Sequence, residues 1–329
     1  MNSIVKAGLI TACMMIHASA WCSFDLILLP SATGRVGRID PNNQVNLGSF
    51  GPNTPGHVVN SADGIWVQSS TGRYARYNYS TGELLNQSSV ITNFISNPIA
   101  GLNANGLTGI VGNNIREINM STGGATNIAT LGTTNIYSRI ERLNSGLYVA
   151  MGKTSSNTHL IETYSAGGLV DSIQILGAMQ GSCGQIAVTP NGLGYRIYTF
   201  VGLGGGSPAP TLRSITISST GLISSTSSIS VSSTGWALDS EPATVAGHDG
   251  LWVIGQSAAG TTIVNQIATT PTMAVVDSFV IDYTIPSNRP WSAVNIVAPE
   301  PSGILATALP LAALLLRRSR RQHSQSPRN

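Results

Sequence analysis

The 329-residue sequence predicts an all-β fold: a six-bladed β-propeller closed by a C-terminal strand, with an N-terminal signal helix and a C-terminal transmembrane helix. Three observations predict it. The body repeats with a period of about 40 to 50 residues, the size of a propeller blade. Each repeat alternates apolar stretches with glycine turns. The first repeat lacks one strand, and the last segment of the body matches the missing one.

The repeat is direct. Asp25–Asp40 aligns without a gap to Asp63–Asn78, an offset of 38 residues. The same template returns at Asn105-Gly106-Leu107, Ser145-Gly146-Leu147, Asn191-Gly192-Leu193 and Asp249-Gly250-Leu251. A second turn closes most units: Ser80-Thr81-Gly82, Ser121-Thr122-Gly123, Ala166-Gly167-Gly168 and Ser219-Thr220-Gly221. Tight turns between twisted strands need the positive φ that Gly and Asn tolerate. Alternation in Leu251-Trp252-Val253-Ile254 and Ile263-Val264-Asn265-Gln266-Ile267 marks the flanking segments as strands. Each unit reads as a meander of about four strands. A β-solenoid would have shorter coils, and a sandwich would not repeat so regularly.

Five complete units begin near His57, Ile99, Ser138, Gly184 and Ala243. The first unit, Phe24–Phe50, lacks the innermost strand that His57-Val58-Val59-Asn60 supplies to the second. Trp291–Val297 matches that strand, so Ser292–Val297 is expected to lie beside Asp25–Leu29 and close the ring without a free sheet edge at the seam.

The organisation is three-part: 1–20, 21–298 and 299–329. Lys6, the apolar Ala7–Ile16 and Ala18-Ser19-Ala20 form a secretory signal with cleavage before Trp21. A competing reading takes Ile10-Thr11-Ala12-Cys13 as a lipidation site. Against it, six residues separate Lys6 from Cys13, and Met14-Met15-Ile16 continues the apolar run. At the other end, Pro299-Glu300-Pro301 precedes an apolar run, Gly303–Leu316, and then Arg317, Arg318, Arg320 and Arg321. The run falls short of the roughly 20 residues of a spanning helix, and snorkelling arginines extend it. The arginines oppose its reading as a buried core helix. They favour the cytoplasmic side, which puts the body outside the membrane.

This tail resembles the PEP-CTERM sorting signal of Gram-negative bacteria. The resemblance implies transient insertion in the inner membrane, cutting at Pro299-Glu300-Pro301 by an exosortase-type enzyme, and delivery to the cell surface or beyond. Such systems accompany exopolysaccharide and biofilm formation, so exopolysaccharide or matrix proteins are the implied partners. The start of the body, Phe24–Gly51, resembles exported propellers of the NHL and streptogramin-lyase-like type.

Charge excludes one class. Of 17 basic and 14 acidic residues, the two ends hold six and one, which leaves the body near −2. The basic face that nucleic acid requires is missing. Cys22 and Cys183 remain after signal removal, and export permits one disulfide.

Chemistry-bearing patterns are few. His57, His159 and His248 have no metal-ligand spacing. His159 aligns with Ile263 at an offset of 104 and reads as a strand position. No G-x-S-x-G elbow occurs. Gly202–Gly206 lacks the Lys-Ser/Thr of a phosphate loop and reads as a hairpin loop between Phe200 and Leu212. Asp63, Asp249, Asp239 and Glu241 are the carboxylates that would hold a structural calcium, although Asp at turns also bonds its own backbone. Arg35/Arg38 and Arg73/Arg76 repeat with the blade, which suits a packing role. Trp66 and Trp252 sit in matching strands and read as core. No catalytic, cofactor or metal residue is assigned. The expectation is a non-catalytic binding or scaffold protein of the extracellular matrix; the alternative is a metal-dependent propeller lyase or lactonase.

Overall fold

The computed structural model describes residues 23–30, 35–51, 58–61, 64–70, 73–90, 99–103, 106–143, 146–156, 158–178, 186–201, 211–230, 243–256, 261–270, 272–284 and 294–299. They form six four-stranded sheets. Blade 1 holds β1 (Ser23–Pro30), β2 (Val36–Asp40), β3 (Val45–Phe50) and β24 (Val294–Pro299). Blade 2 holds β4 (Val58–Ser61), β5 (Gly64–Ser70), β6 (Arg73–Tyr77) and β7 (Leu84–Gln87). Blade 3 holds β8 (Ile99–Asn103), β9 (Gly106–Val111), β10 (Asn114–Asn119) and β11 (Ala125–Thr130). Blade 4 holds β12 (Ile136–Arg142), β13 (Tyr148–Lys153), β14 (Thr158–Ser165) and β15 (Gly168–Ala178). Blade 5 holds β16 (Ala187–Asn191), β17 (Gly194–Val201), β18 (Thr211–Ile217) and β19 (Ile223–Ser230). Blade 6 holds β20 (Ala243–Gly247), β21 (Gly250–Gln256), β22 (Thr261–Ala268) and β23 (Ala274–Thr284).

The sheet order β24-β1-β2-β3 bears out the closing strand. Its described bounds run two residues later than expected, Val294–Pro299; Trp291, Ser292 and Ala293 lie outside the described residues. Two unit starts, Ile99 and Ala243, fall where the sequence puts them, while the fourth blade begins at Ile136 rather than Ser138.

Every third strand meets its outer neighbour antiparallel, and every such pair carries a register shift: Gly37/Ile39, Arg76/Tyr77, Ile115/Arg116, Thr163/Tyr164, Ile215/Ile217 and Gln266/Ile267. A bulge adds local twist and turns an exposed edge away from a second chain. The outer strands need that protection, because β3, β7, β11 and β19 carry no charged residue or proline.

Strand alternation gives each sheet two apolar faces, and each face packs on the next blade. Val59, Trp66 and Tyr74 meet Leu107 and Ile118 between blades 2 and 3. Ile110 and Ile115 meet Ile140 and Tyr148 between blades 3 and 4. Val149, Met151 and Ile161 meet Ile197 and Ile215 between blades 4 and 5. Tyr198 and Phe200 meet Leu251 and Val253 between blades 5 and 6. Val245, Trp252 and Ile254 meet Ile27 and Ile39 between blades 6 and 1. Each side chain of this size contributes about 1.5–3 kcal/mol when fully buried. Trp66 and Trp252 are both core, as expected.

The second turn of a unit is an Asx turn. Asn78 Oδ1 accepts the amides of Ser80 and Thr81 at 2.9 and 3.0 Å. Asn119 accepts those of Ser121 and Thr122 at 2.9 and 3.1 Å. Asp40 accepts those of Asn42 and Asn43, both at 3.0 Å. The preceding blade then reaches the turn's carbonyls. Arg38 Nη1 donates to Ser80 at 2.5 Å, Ser89 Oγ to Ser121 at 2.6 Å, and Thr163 Oγ1 to Gly221 at 2.6 Å. The repeated turn is therefore a blade-to-blade tie. Arg38 also lies 5.7 Å from the Phe50 ring and Arg76 6.0 Å from the Trp66 ring, in keeping with a packing role.

The compact body spans Asp25–Ile296. Among the described residues, no helix is long and apolar enough to cross a membrane. Ala18, Ala20, Cys22, Cys183, Glu300, Pro301, Arg317, Arg318, Arg320 and Arg321 lie outside the described residues, and so do the segments expected to form the two terminal helices. Pro299 is the last residue of β24.

Candidate functional site

The inner strands of neighbouring blades approach one another: β4 with β8, β8 with β12, and β16 with β20. In a propeller these strands line the axis, where ligands gather. The described part of that lining with chemistry is β12. A bulge between Tyr137 and Arg139 shifts its register, so Arg139 pairs with Met151 and Glu141 with Val149. Val149 and Met151 belong to the core shared with blade 5, which places Arg139 and Glu141 on the same face. Arg139 is buried and Glu141 half-buried. Burial lifts the Glu141 carboxyl to about 8, and the Arg139 guanidinium draws it part of the way back. Near neutral pH this acid keeps its proton.

His159 sits on β14, facing the same seam, fully buried. Neither ring nitrogen has a hydrogen-bond partner among the described residues. Burial first, and the charge of Arg213 second, hold its pKa down to about 4. It is a neutral core group, as its alignment with Ile263 suggested. His248 occupies the turn between β20 and β21. Its Nδ1 lies 2.9 Å from Asp249 Oδ1, both side chains exposed.

Four other described carboxylates tie strands or blades together. Asp25 on β1 accepts the His248 amide at 3.0 Å and the Trp252 indole at 2.8 Å. Glu162 on β14 accepts the phenols of Tyr137 and Tyr164 at 2.5 and 2.6 Å, and Ser172 Oγ at 3.3 Å. Burial and the neighbouring carboxylate raise both tyrosines. Glu117 on β10 accepts the Tyr148 phenol and lies 3.5 Å from Arg142, across the seam of blades 3 and 4. Asp171 on β15 accepts the Ile223 amide of blade 5 at 2.8 Å.

Among the described residues, no three of His, Cys, Asp and Glu gather as a metal ion requires. Asp249 is exposed at its turn, while Asp63, Asp239, Glu241 and Gly202–Gly206 lie outside the described residues. Sequence reasoning missed Arg139, Glu141 and Glu162. The x-Arg-x-Glu alternation of Arg139 and Glu141 on a first strand was its one available signal.

No protein-family model matches the chain, and no curated protein matches it. Solved structures do. A candidate 6-phosphogluconolactonase from Bacteroides uniformis superposes with a TM-score of 0.53 at 10% identity, covering 83% of this chain and 99% of that one. A second, from Bacteroides fragilis, gives 0.52 at 10% identity, covering 83% and 97%. The Cps50 (Swd1) propeller domain of Myceliophteria thermophila gives 0.49 at 8% identity, covering 77% and 82%. The chain is a six-bladed β-propeller. At these identities the likeness shows the fold alone, and propellers carry unrelated functions.

Proposed function

We propose that this chain is an exported binding or scaffold protein of the extracellular matrix, sorted through Pro299-Glu300-Pro301 and released at the cell surface by an exosortase-type enzyme. The body binds matrix polysaccharide or protein and turns nothing over. One observation supports the non-catalytic reading best: the carboxylates of Asp25, Glu117 and Asp171 each fasten one blade to the next, and that of Glu162 ties three strands within blade 4. Acid–base or metal chemistry needs groups held in reserve, facing a substrate.

A second reading, a metal-dependent lactonase or lyase, draws on Glu141. A carboxyl lifted to about 8 on an innermost strand is what a general acid uses near neutral pH. Calorimetric titration of the body with calcium and zinc, followed by lactone and polysaccharide-lyase screens, separates the two. The binding reading expects no turnover with or without metal. Metal-dependent turnover lost in Glu141→Gln selects the enzyme.

A further inference from the structure

The closing strand and the processing motif share a residue. β24 ends at Pro299, and Pro299 opens Pro299-Glu300-Pro301. No linker separates the last hydrogen-bonded strand of the ring from the sorting signal. β24 lies beside β1 alone in its sheet, at the edge of the order β24-β1-β2-β3. β1 is anchored to blade 6. Ile27 and Leu29 are buried against blade 6, and the Asp25 carboxylate takes the Trp252 indole and the His248 amide.

An extended peptide taken up by another protein offers the main-chain groups that a sheet neighbour uses. Resting on the sorting reading above, we infer that ring closure and release compete for Val297-Ala298-Pro299. A processing enzyme that grips these residues as an extended segment must take them before β1 does, or wait for the strand end to fray. Release therefore runs from the open ring, and closure afterwards withdraws the new C-terminus into blade 1. Strand ends open locally at far lower cost than the whole fold, so β1 slows processing without forbidding it.

The test follows release by pulse-chase in the producing cell, using full-length chains. Inserting Gly-Ser-Gly-Ser between Ala298 and Pro299 keeps β24 through Ala298 and the motif intact, and moves them apart. Release should accelerate by about threefold or more, the scale of a strand end that frays readily. Asp25→Ala, which loosens β1 and leaves the motif's own residues unchanged, should accelerate release at native spacing and leave it unchanged in the inserted chain. An insertion that leaves the rate unchanged or lowers it overturns the competition. So does an Asp25→Ala effect of equal size in both backgrounds, which would mark general instability. Glu300→Ala tests the underlying reading separately: it should stop release at either spacing. Undiminished release in Glu300→Ala overturns the sorting reading and the competition with it.

Discussion

The Trp252 indole N–H on β21 donates to Oδ2 of Asp25 on β1 at 2.8 Å, joining residues 227 positions apart. The same carboxylate accepts the His248 amide through both oxygens, at 3.0 and 3.1 Å. This is the seam where the chain's first strand meets its last complete blade. Asp25→Ala would leave a buried indole N–H without its partner. A loss of about 2–3 kcal/mol follows from an unsatisfied buried donor and a broken charge-assisted bond. Urea unfolding of the wild-type and variant chains checks it.

Gly247 is required beside that bond. A Cβ there would stand 2.6 Å from Cδ1 and Nε1 of Trp252 and 3.0 Å from Asp25 Oδ2. Both partners are held in a packed seam and have no room to give. Gly247→Ala should destabilise by about 1–3 kcal/mol, the range for overpacking. The indole fluorescence should shift with it, since the ring must move.

Gln44 is the one non-glycine with positive φ among the described residues, at 57°. It occupies the place in blade 1 that Gly82 and Gly123 hold in blades 2 and 3, with φ of 73° and 72°. A left-handed conformation costs an L side chain about 1–2 kcal/mol. Gln44→Gly recovers that and gives up some unfolded-state entropy, so a net gain of about 0.5–1 kcal/mol is expected, seen as a higher melting temperature.

Two groups give stability opposite pH slopes. His159 folds with a pKa near 4 against 6.5 in the unfolded chain. As pH falls through 6.5 toward 4, the unfolded state takes a proton that the fold refuses. Stability drops by about 3 kcal/mol across that window. Glu141 is raised instead, from 4.5 to about 8, so stability falls as pH rises through that range. His159→Ile, which installs the residue of the equivalent strand in blade 6, should flatten the acid limb. Glu141→Gln should flatten the other. Urea midpoints at pH 5, 7 and 8.5 read both.

The blades were legible because their cause is local. A turn needing positive φ announces itself as Gly82, Gly123 or Gly250, and a strand as alternation around Trp252. The closing strand was legible because a unit beginning at Phe24 visibly lacks what His57–Asn60 supplies next door. The site was not, because its groups meet only across the ring or a sheet. Tyr137 reaches Glu162 over 25 residues, and Asp25 reaches Trp252 over 227. The bulge that turns Arg139 and Glu141 toward blade 5 is a property of pairing, and the glycine at it, Gly152 opposite Tyr137, stands on the partner strand rather than in β12. His159 was placed correctly because the repeat supplied Ile263 as its counterpart.

Val294–Pro299 closes the ring and puts Pro299 at its seam. Amide hydrogen exchange of Leu26–Leu29 in chains ending at Pro299 and at Ala293 tests it most directly. Closure by β24 predicts strong protection in the longer chain, its loss in the shorter one, and a fall in global stability of the shorter chain with it. Equal protection and equal stability in the two chains would contradict the claim.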